Sequence, residues 1–161
     1  MEHQQLANER SDEAKKHFEE GISWLSSHRY NEAIECFNKV PQCCASSEYA
    51  PKAHLQLGYA YWDLLSLGSI RQMISHFKQG LSSIPEGSLS DEEMGFIYRC
   101  IGCGYVINDE YQNAVDALKF AVHLKPKDYD ARYWLVYAYL RMDDKVEALR
   151  QYEELRKLNQ G

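Results

Sequence analysis

A spaced set of residues recurs along this chain at intervals close to 34 residues. It is clearest as an aromatic residue, an apolar residue, a glycine, a second aromatic residue, small apolar residues and a proline: Tyr98, Ile101, Gly102, Tyr105, Ala114, Leu118, Ala121 and Pro126. Thirty-four residues further on, most of these positions are filled again, by Leu135, Val136, Tyr139, Ala148, Tyr152 and Leu155. A fixed period of this length is typical of stacked copies of one small unit, each covering the apolar face of its neighbour.

Two further copies of the pattern lie upstream, with their glycines at Gly58 and Gly21. Their other matching residues are Leu57, Tyr61, Phe77 and Pro85 in one copy, and Trp24, Tyr30, Ala33 and Phe37 in the other. The glycines of successive copies are 37 and then 44 residues apart, so extra residues are inserted. We expect them to lengthen the first helix of the third copy, which begins at Ser90 with a capping box to Glu93, and to form a loop at 85–87.

The offsets match the pattern W-x2-L-G-x2-Y…A-x3-F…P, and the chain resembles a tetratricopeptide-repeat protein from about residue 12 to its end. The resemblance implies an all-α fold, an α-solenoid in which antiparallel helix pairs form a right-handed superhelix. Each repeat contributes a helix A and a helix B. We expect a polar N-terminal segment at residues 1–11 and one domain at 12–161. Its four repeats, numbered 1 to 4 below, are predicted at about 12–45, 47–85, 90–126 and 128–160.

Composition excludes several classes of function. The chain has 18 basic and 24 acidic residues, a net charge of −6, and no basic stripe, so we expect no nucleic-acid partner. No apolar run approaches the roughly 20 residues that cross a membrane, and the polar first residues are unlike a signal peptide. A cytoplasmic protein with reduced thiols is therefore expected. The nucleotide-binding and nucleophile motifs of common enzymes are also missing, so we predict neither catalysis nor a cofactor.

The cysteines leave one alternative open. Cys100 and Cys103 have the C-x-x-C spacing of a redox pair or of half a zinc site, and Cys43 and Cys44 could supply more ligands. The pair falls inside a predicted helix beside the signature glycine Gly102, where small buried residues pack well. We therefore favour a packing role and expect no metal, but a thiol or zinc protein using Cys100 and Cys103 stays an alternative.

The resemblance also implies where a partner binds. In this family, fixed positions of each helix A line a concave groove, and the matching residues of this chain are mostly aromatic, aliphatic or arginine. Such residues dominate binding hot spots. We predict a non-catalytic protein–protein interaction module that holds a peptide or helix with apolar anchors and an acidic residue opposite Arg99. The predicted groove residues are Phe18, Ile22, Leu55, Tyr59, Trp62, Phe96, Arg99, Cys103, Tyr133, Tyr137 and Arg141.

Three further expectations concern partners and the chain's end. A small secretion or assembly chaperone that holds an apolar client segment is the second candidate function, and an open solenoid end allows a homo-oligomer. The carboxylate-clamp specialisation of the family needs Lys or Asn where this chain has Phe18, Ile22 and Tyr59, so we do not expect it. The last helix, 144–158, has an apolar stripe and alternating charges, and is predicted to cap the stack.

Overall fold

The computed structural model describes residues 2–64 and 67–159. Over these residues the chain forms eight α-helices and no β-strand, which confirms the all-α prediction. The helices are α1 (Glu2–Ser26), α2 (Tyr30–Cys43), α3 (Tyr49–Leu64), α4 (Leu67–Ser83), α5 (Asp91–Ile107), α6 (Tyr111–Leu124), α7 (Tyr129–Arg141) and α8 (Lys145–Leu158). Within the described part of the chain, no helix has both the length and the hydropathy that a membrane span requires.

Consecutive helices pack in pairs, α1 with α2, α3 with α4, α5 with α6 and α7 with α8, as four helix-A and helix-B repeats should. The pairs divide between two compact units, an N-terminal unit of residues Met1–Pro85 and a C-terminal unit of residues Glu86–Gly161. Within the first unit α2 also packs on α3, and within the second α6 packs on α7. The expected single domain over residues 12–161 stays a prediction.

The signature glycines allow helices A and B of one repeat to approach closely. A methyl group built on Gly58 would lie 2.4 Å from the ring of Phe77, and one on Gly102 would lie 2.4 Å from the side chain of Leu118. Gly21 faces Phe37 in the same way, at 2.5 Å. Because these partner side chains are fully buried, the pattern of one glycine opposite one large residue fixes the helix spacing in three repeats.

Repeat 4 departs from this arrangement. Val136 stands in the glycine position, and the residue in the partner position, Tyr152, is half exposed rather than buried. Repeat 4 therefore does not repeat the pairing of a glycine with one large buried residue.

Helix α5 begins with the capping box that the sequence predicts at Ser90. Ser90 caps α5, where the backbone N–H of Glu93 donates to Ser90 Oγ at 3.2 Å and the backbone N–H of Ser90 donates to Glu93 Oε2 at 2.9 Å. The helix has 17 residues against 13 in α7, and a loop separates it from α4 at the predicted place. Three acidic residues in its first turn further stabilise it through the helix dipole.

The apolar stripe predicted for the last helix is only partly buried. Leu155 packs inside, together with Ala148, but Val146 and Leu149 point to solvent. The buried side of α8 is instead made by residues 144, 147, 148, 151, 154, 155 and 158, which are buried or half buried. Part of the predicted stripe therefore lies on the exposed side of α8, and the capping role of this helix stays a prediction.

Candidate interaction surface

The predicted groove residues of the N-terminal unit lie mostly in tight contacts. Phe18 on α1 packs against Phe37 and Tyr49, with ring centroids 5.7 and 5.5 Å apart. Tyr59 on α3 meets Phe77 edge-on at 5.1 Å. Ile22 and Trp62 are half buried, and Leu55 is buried, which leaves little of it for a ligand to contact.

Arg99 on α5 lies beside two carboxylates at the start of α7. Its Nη1 donates to Asp128 Oδ1 at 3.2 Å and to Asp130 Oδ2 at 2.8 Å. The guanidinium also lies over the ring of Phe96, 5.0 Å from the centroid. Asp128 is buried and also caps α7, because its Oδ1 accepts from the backbone N–H of Ala131 at 3.0 Å.

These contacts change the expectation for Arg99. The acidic group predicted to lie opposite it is supplied by the chain itself, through Asp128 and Asp130. A buried carboxylate that accepts from both an arginine and a helix N-terminus is stable only with these partners in place. Arg99 therefore links α5 to α7, and an acidic ligand would have to displace Asp130 to reach it.

The cysteines of the C-x-x-C pair behave as core residues. Cys100 and Cys103 are both buried and form no disulfide. Burial raises the pKa of the Cys103 thiol to about 12, and a reactive cysteine sits in a partly exposed environment instead. Within residues 2–64 and 67–159, no cluster of three potential metal ligands includes either of them. The geometry supports the packing role and gives the thiol or zinc alternative no support.

The aromatic residues of α7 form a row along one side of the helix. Trp134 meets Tyr133 and Tyr137 edge-on, with centroids 5.7 and 6.0 Å apart. Arg141 Nη1 donates to the Tyr137 hydroxyl at 3.0 Å, and the same guanidinium lies 4.9 Å from the ring centroid of Tyr111. Arg141 thus holds Tyr137 in place while remaining half exposed.

Large exposed apolar residues concentrate in the last helix pair. Among the described residues, eight of the eleven exposed large apolar side chains lie in α7, in α8 or in the turn between them. We call this surface the α7–α8 face. It consists of Tyr129, Tyr133, Tyr137, Leu140, Met142, Val146, Leu149 and Tyr152.

The preceding repeat shows why this face is exposed. Cys103, Val106, Val115 and Leu118 precede Tyr137, Leu140, Leu149 and Tyr152 by 34 residues each. The first four are 0–5% exposed, and the second four are 36–59% exposed. In repeat 3, Val106, Val115 and Leu118 share a core with Ala131, Leu135 and Ala138 of α7. The α7–α8 face is therefore the same kind of surface, left exposed among residues 2–64 and 67–159.

Sequence reasoning identified only part of this surface. Tyr133, Tyr137 and Arg141 are predicted from the groove positions of helix A, whereas Leu149 and Tyr152 belong only to the apolar stripe predicted for the last helix. A comparison of each repeat 4 residue with the residue 34 positions earlier finds them, because the earlier residue is buried and the later one is exposed. The exposed apolar residues of helix A and helix B thus belong to the same helix pair.

Comparison with known proteins agrees with this architecture. Residues 105–161 match the family model of the tetratricopeptide repeat. A crystal structure of MamA protein superposes with a TM-score of 0.73 at 24% identity, over 92% of this chain and 74% of that chain. This is a tetratricopeptide-repeat fold. The resemblance drawn from the repeated residues is thereby confirmed.

Two other tetratricopeptide-repeat structures are similar in fold. YrrB, a TPR protein with an unusual peptide-binding site, has a TM-score of 0.72 at 18% identity, over 88% of this chain and 66% of that chain. The first TPR of Spaghetti (RPAP3), bound to the HSP90 peptide SRMEEVD, has a TM-score of 0.62 at 17% identity, over 83% of this chain and 95% of that chain. The comparison with curated protein sequences gives no match.

Proposed function

We propose that this chain is a non-catalytic protein–protein interaction module whose α7–α8 face binds an apolar helix or peptide of a partner protein. The observation that carries the proposal is the 34-residue comparison, in which side chains covered in repeat 3 have exposed counterparts in repeat 4. An exposed apolar patch of this kind marks an interaction site more often than an ordinary surface. The fold likeness to YrrB and to Spaghetti, whose structures concern peptide binding, supports the same class of function.

The helix that already covers repeat 3 indicates what this face accepts. α7 places Ala131, Leu135 and Ala138 against the core of repeat 3, a small–large–small series at steps of four and three residues. These steps put the three side chains on one side of a helix. A partner helix with the same series could pack its large residue against the α7–α8 face while its small residues allow the backbone to approach closely. We therefore infer an amphipathic helix as the preferred ligand.

The tyrosines and Arg141 define the rim of the proposed site. Tyrosine gives a large contact area with few torsions to order, and its hydroxyl stays hydrated when no partner is bound. Arg141 already orders Tyr137, so its ring needs little further ordering on binding. Trp62 and Tyr59 of the N-terminal unit are half buried, and they stay proposed partner contacts of that unit by itself.

The test is to place photo-crosslinking residues at positions 137 and 149, with position 120 as the control. Phe120 is an exposed aromatic residue outside the α7–α8 face. After mass spectrometry identifies the cross-linked protein, calorimetry compares the Tyr137→Ala, Leu149→Ala and Phe120→Ala variants. Loss of a hot-spot residue costs about 2 kcal/mol, or roughly thirtyfold in affinity. Equal effects at positions 137, 149 and 120 would show that the partner binds elsewhere.

A further inference from the structure

A second candidate site lies in the N-terminal unit, between the first half of α1 and the end of α2. Glu13 and His17 on α1 and Cys43 on α2 each offer one potential ligand atom, and these three atoms lie within 4.8 Å of one another. They border a cavity of about 400 Å³. The other residues that line it are Arg10, Lys39 and Gln42.

Buried residues between α1 and α2 hold the backbone positions of the three side chains fixed. Glu13 and His17 are four residues apart, so they lie on the same side of α1, one turn from each other. Between them Ala14 is fully buried, in the same core as Val40 of α2. Because these buried residues fix α1 against α2, Cys43 is set opposite the Glu13–His17 pair without any loop having to be ordered.

We propose that Glu13, His17 and Cys43 form a binding site for a zinc-like divalent cation. A carboxylate oxygen, an imidazole nitrogen and a thiolate sulfur are the three ligand types that Zn²⁺ takes from proteins. One negative charge from the carboxylate and one from the thiolate balance the charge of the ion. Three protein ligands leave the fourth tetrahedral position to water or to a group from a partner.

Glu20 supports this arrangement from the next turn of α1. Its Oε2 lies 3.4 Å from Nδ1 of His17, a buried nitrogen that has no hydrogen-bond partner in the structure. A carboxylate beside a metal-binding imidazole commonly fixes the tautomer and the orientation of the ring. Glu20 is positioned to do so for His17 once the ion draws the ring into place.

Charged residues around Cys43 affect both its thiol and the affinity for a cation. Burial, together with the charge of Glu13, raises the pKa of the Cys43 thiol, while Lys39 acts in the opposite direction. A metal binds the thiolate, so formation of the sulfur–metal bond would release the thiol proton to solvent. Arg10 and Lys39 line the same cavity, and because their positive charges oppose a cation, we expect a lower affinity than that of a four-ligand structural zinc site.

Cobalt titration of the reduced full-length chain tests the site directly. Bound through Cys43, Co²⁺ gives a near-ultraviolet sulfur-to-metal charge-transfer band at one ion per chain, and Zn²⁺ removes the band by displacement. Cys43→Ser should abolish the band, and Glu13→Gln and His17→Gln should each weaken Zn²⁺ binding at least tenfold. Glu20→Gln should weaken it by roughly tenfold, a typical effect for a residue behind the ligands.

Two controls separate this site from other cysteines and histidines. Cys44→Ser changes the neighbouring thiol, which lies outside the cluster, and should leave the band and the affinity unchanged. His54 and His76, whose Nδ1 atoms lie 3.1 Å apart, could bind Co²⁺ only through nitrogen, so binding there would give no sulfur-to-metal charge-transfer band. A band that survives Cys43→Ser, or that is lost with Cys44→Ser instead, would overturn the proposal, as would a chain that gives no band at all.

Discussion

Replacing Gly58 by alanine tests the close approach of helices A and B that the repeat pattern requires. The new methyl group would lie 2.4 Å from the Phe77 ring, more than 1 Å inside ordinary contact distance, and the ring is fully buried. Overpacking typically costs about 1–3 kcal/mol, and a 2.4 Å approach to a fully buried ring belongs to the upper part of that range, at about 2–3 kcal/mol. Alanine recovers about 1 kcal/mol through its higher helix propensity. The expected net loss is about 1–2 kcal/mol of unfolding free energy.

Gly68→Ala is the matched control in the same unit. Gly68 is also helical, but a methyl group there meets no atom within 4 Å, so only the propensity gain of up to ~1 kcal/mol remains. The melting temperatures of the two variants, measured by circular dichroism, should therefore shift in opposite directions. For a unit of this size, Gly58→Ala should lower the Tm by roughly 5–15 °C. A Gly58→Ala protein as stable as the Gly68→Ala protein would refute the close-packing argument.

Three further predictions concern stability. Asp128→Ala removes the cap of α7 and a partner of Arg99, so urea unfolding should show a free energy of unfolding about 1–2 kcal/mol lower. Asp130 is exposed, and Asp130→Ala should lower it by less than ~0.5 kcal/mol. Ser90→Ala removes the capping box of α5 and should cost about 1 kcal/mol in the same assay, against almost nothing for exposed Ser82→Ala. Burial lowers the pKa of His76 from 6.5 to about 4, so the unfolded state takes up a proton at a higher pH than the folded state does. The free energy of unfolding should therefore fall as the pH drops from 6.5 towards 4. In His76→Leu, the urea midpoint should fall less steeply over the same pH range.

The repeat period predicted the fold because it records packing geometry directly. Gly58 and Gly102 occur where two helices must touch, and Phe77 and Leu118 occur where the space between them must be filled. The surplus residues between Gly58 and Gly102 likewise predicted the capped start of α5 at Ser90. Local chemistry and spacing determine such features, so one sequence is enough to find them.

Whether an individual side chain is paired or covered in the fold was harder to predict. Arg99 was expected to face a ligand, but Asp128 and Asp130, 29 and 31 residues away, neutralise it where α7 begins against α5. Val146 and Leu149 follow helical spacing, but spacing gives only the side of α8 on which they lie. Whether a neighbouring helix covers that side depends on the packing of whole elements. For α8, the comparison with repeat 3 explains which apolar residues are exposed, whereas helical periodicity alone does not.

The composition of the α7–α8 face fits a surface that alternates between water and a partner. Four of its eight residues are tyrosines, whereas the covered positions of repeat 3 hold Cys103, Val106, Val115 and Leu118. A permanently covered position needs no hydrogen-bonding group, and a permanently exposed one gains nothing from a large ring. Tyrosine suits both states, because its hydroxyl keeps contact with water while the ring supplies apolar area. Tyr152 fits this interpretation, because it is half exposed whereas the residues in the same position of the three other repeats, Phe37, Phe77 and Leu118, are fully buried.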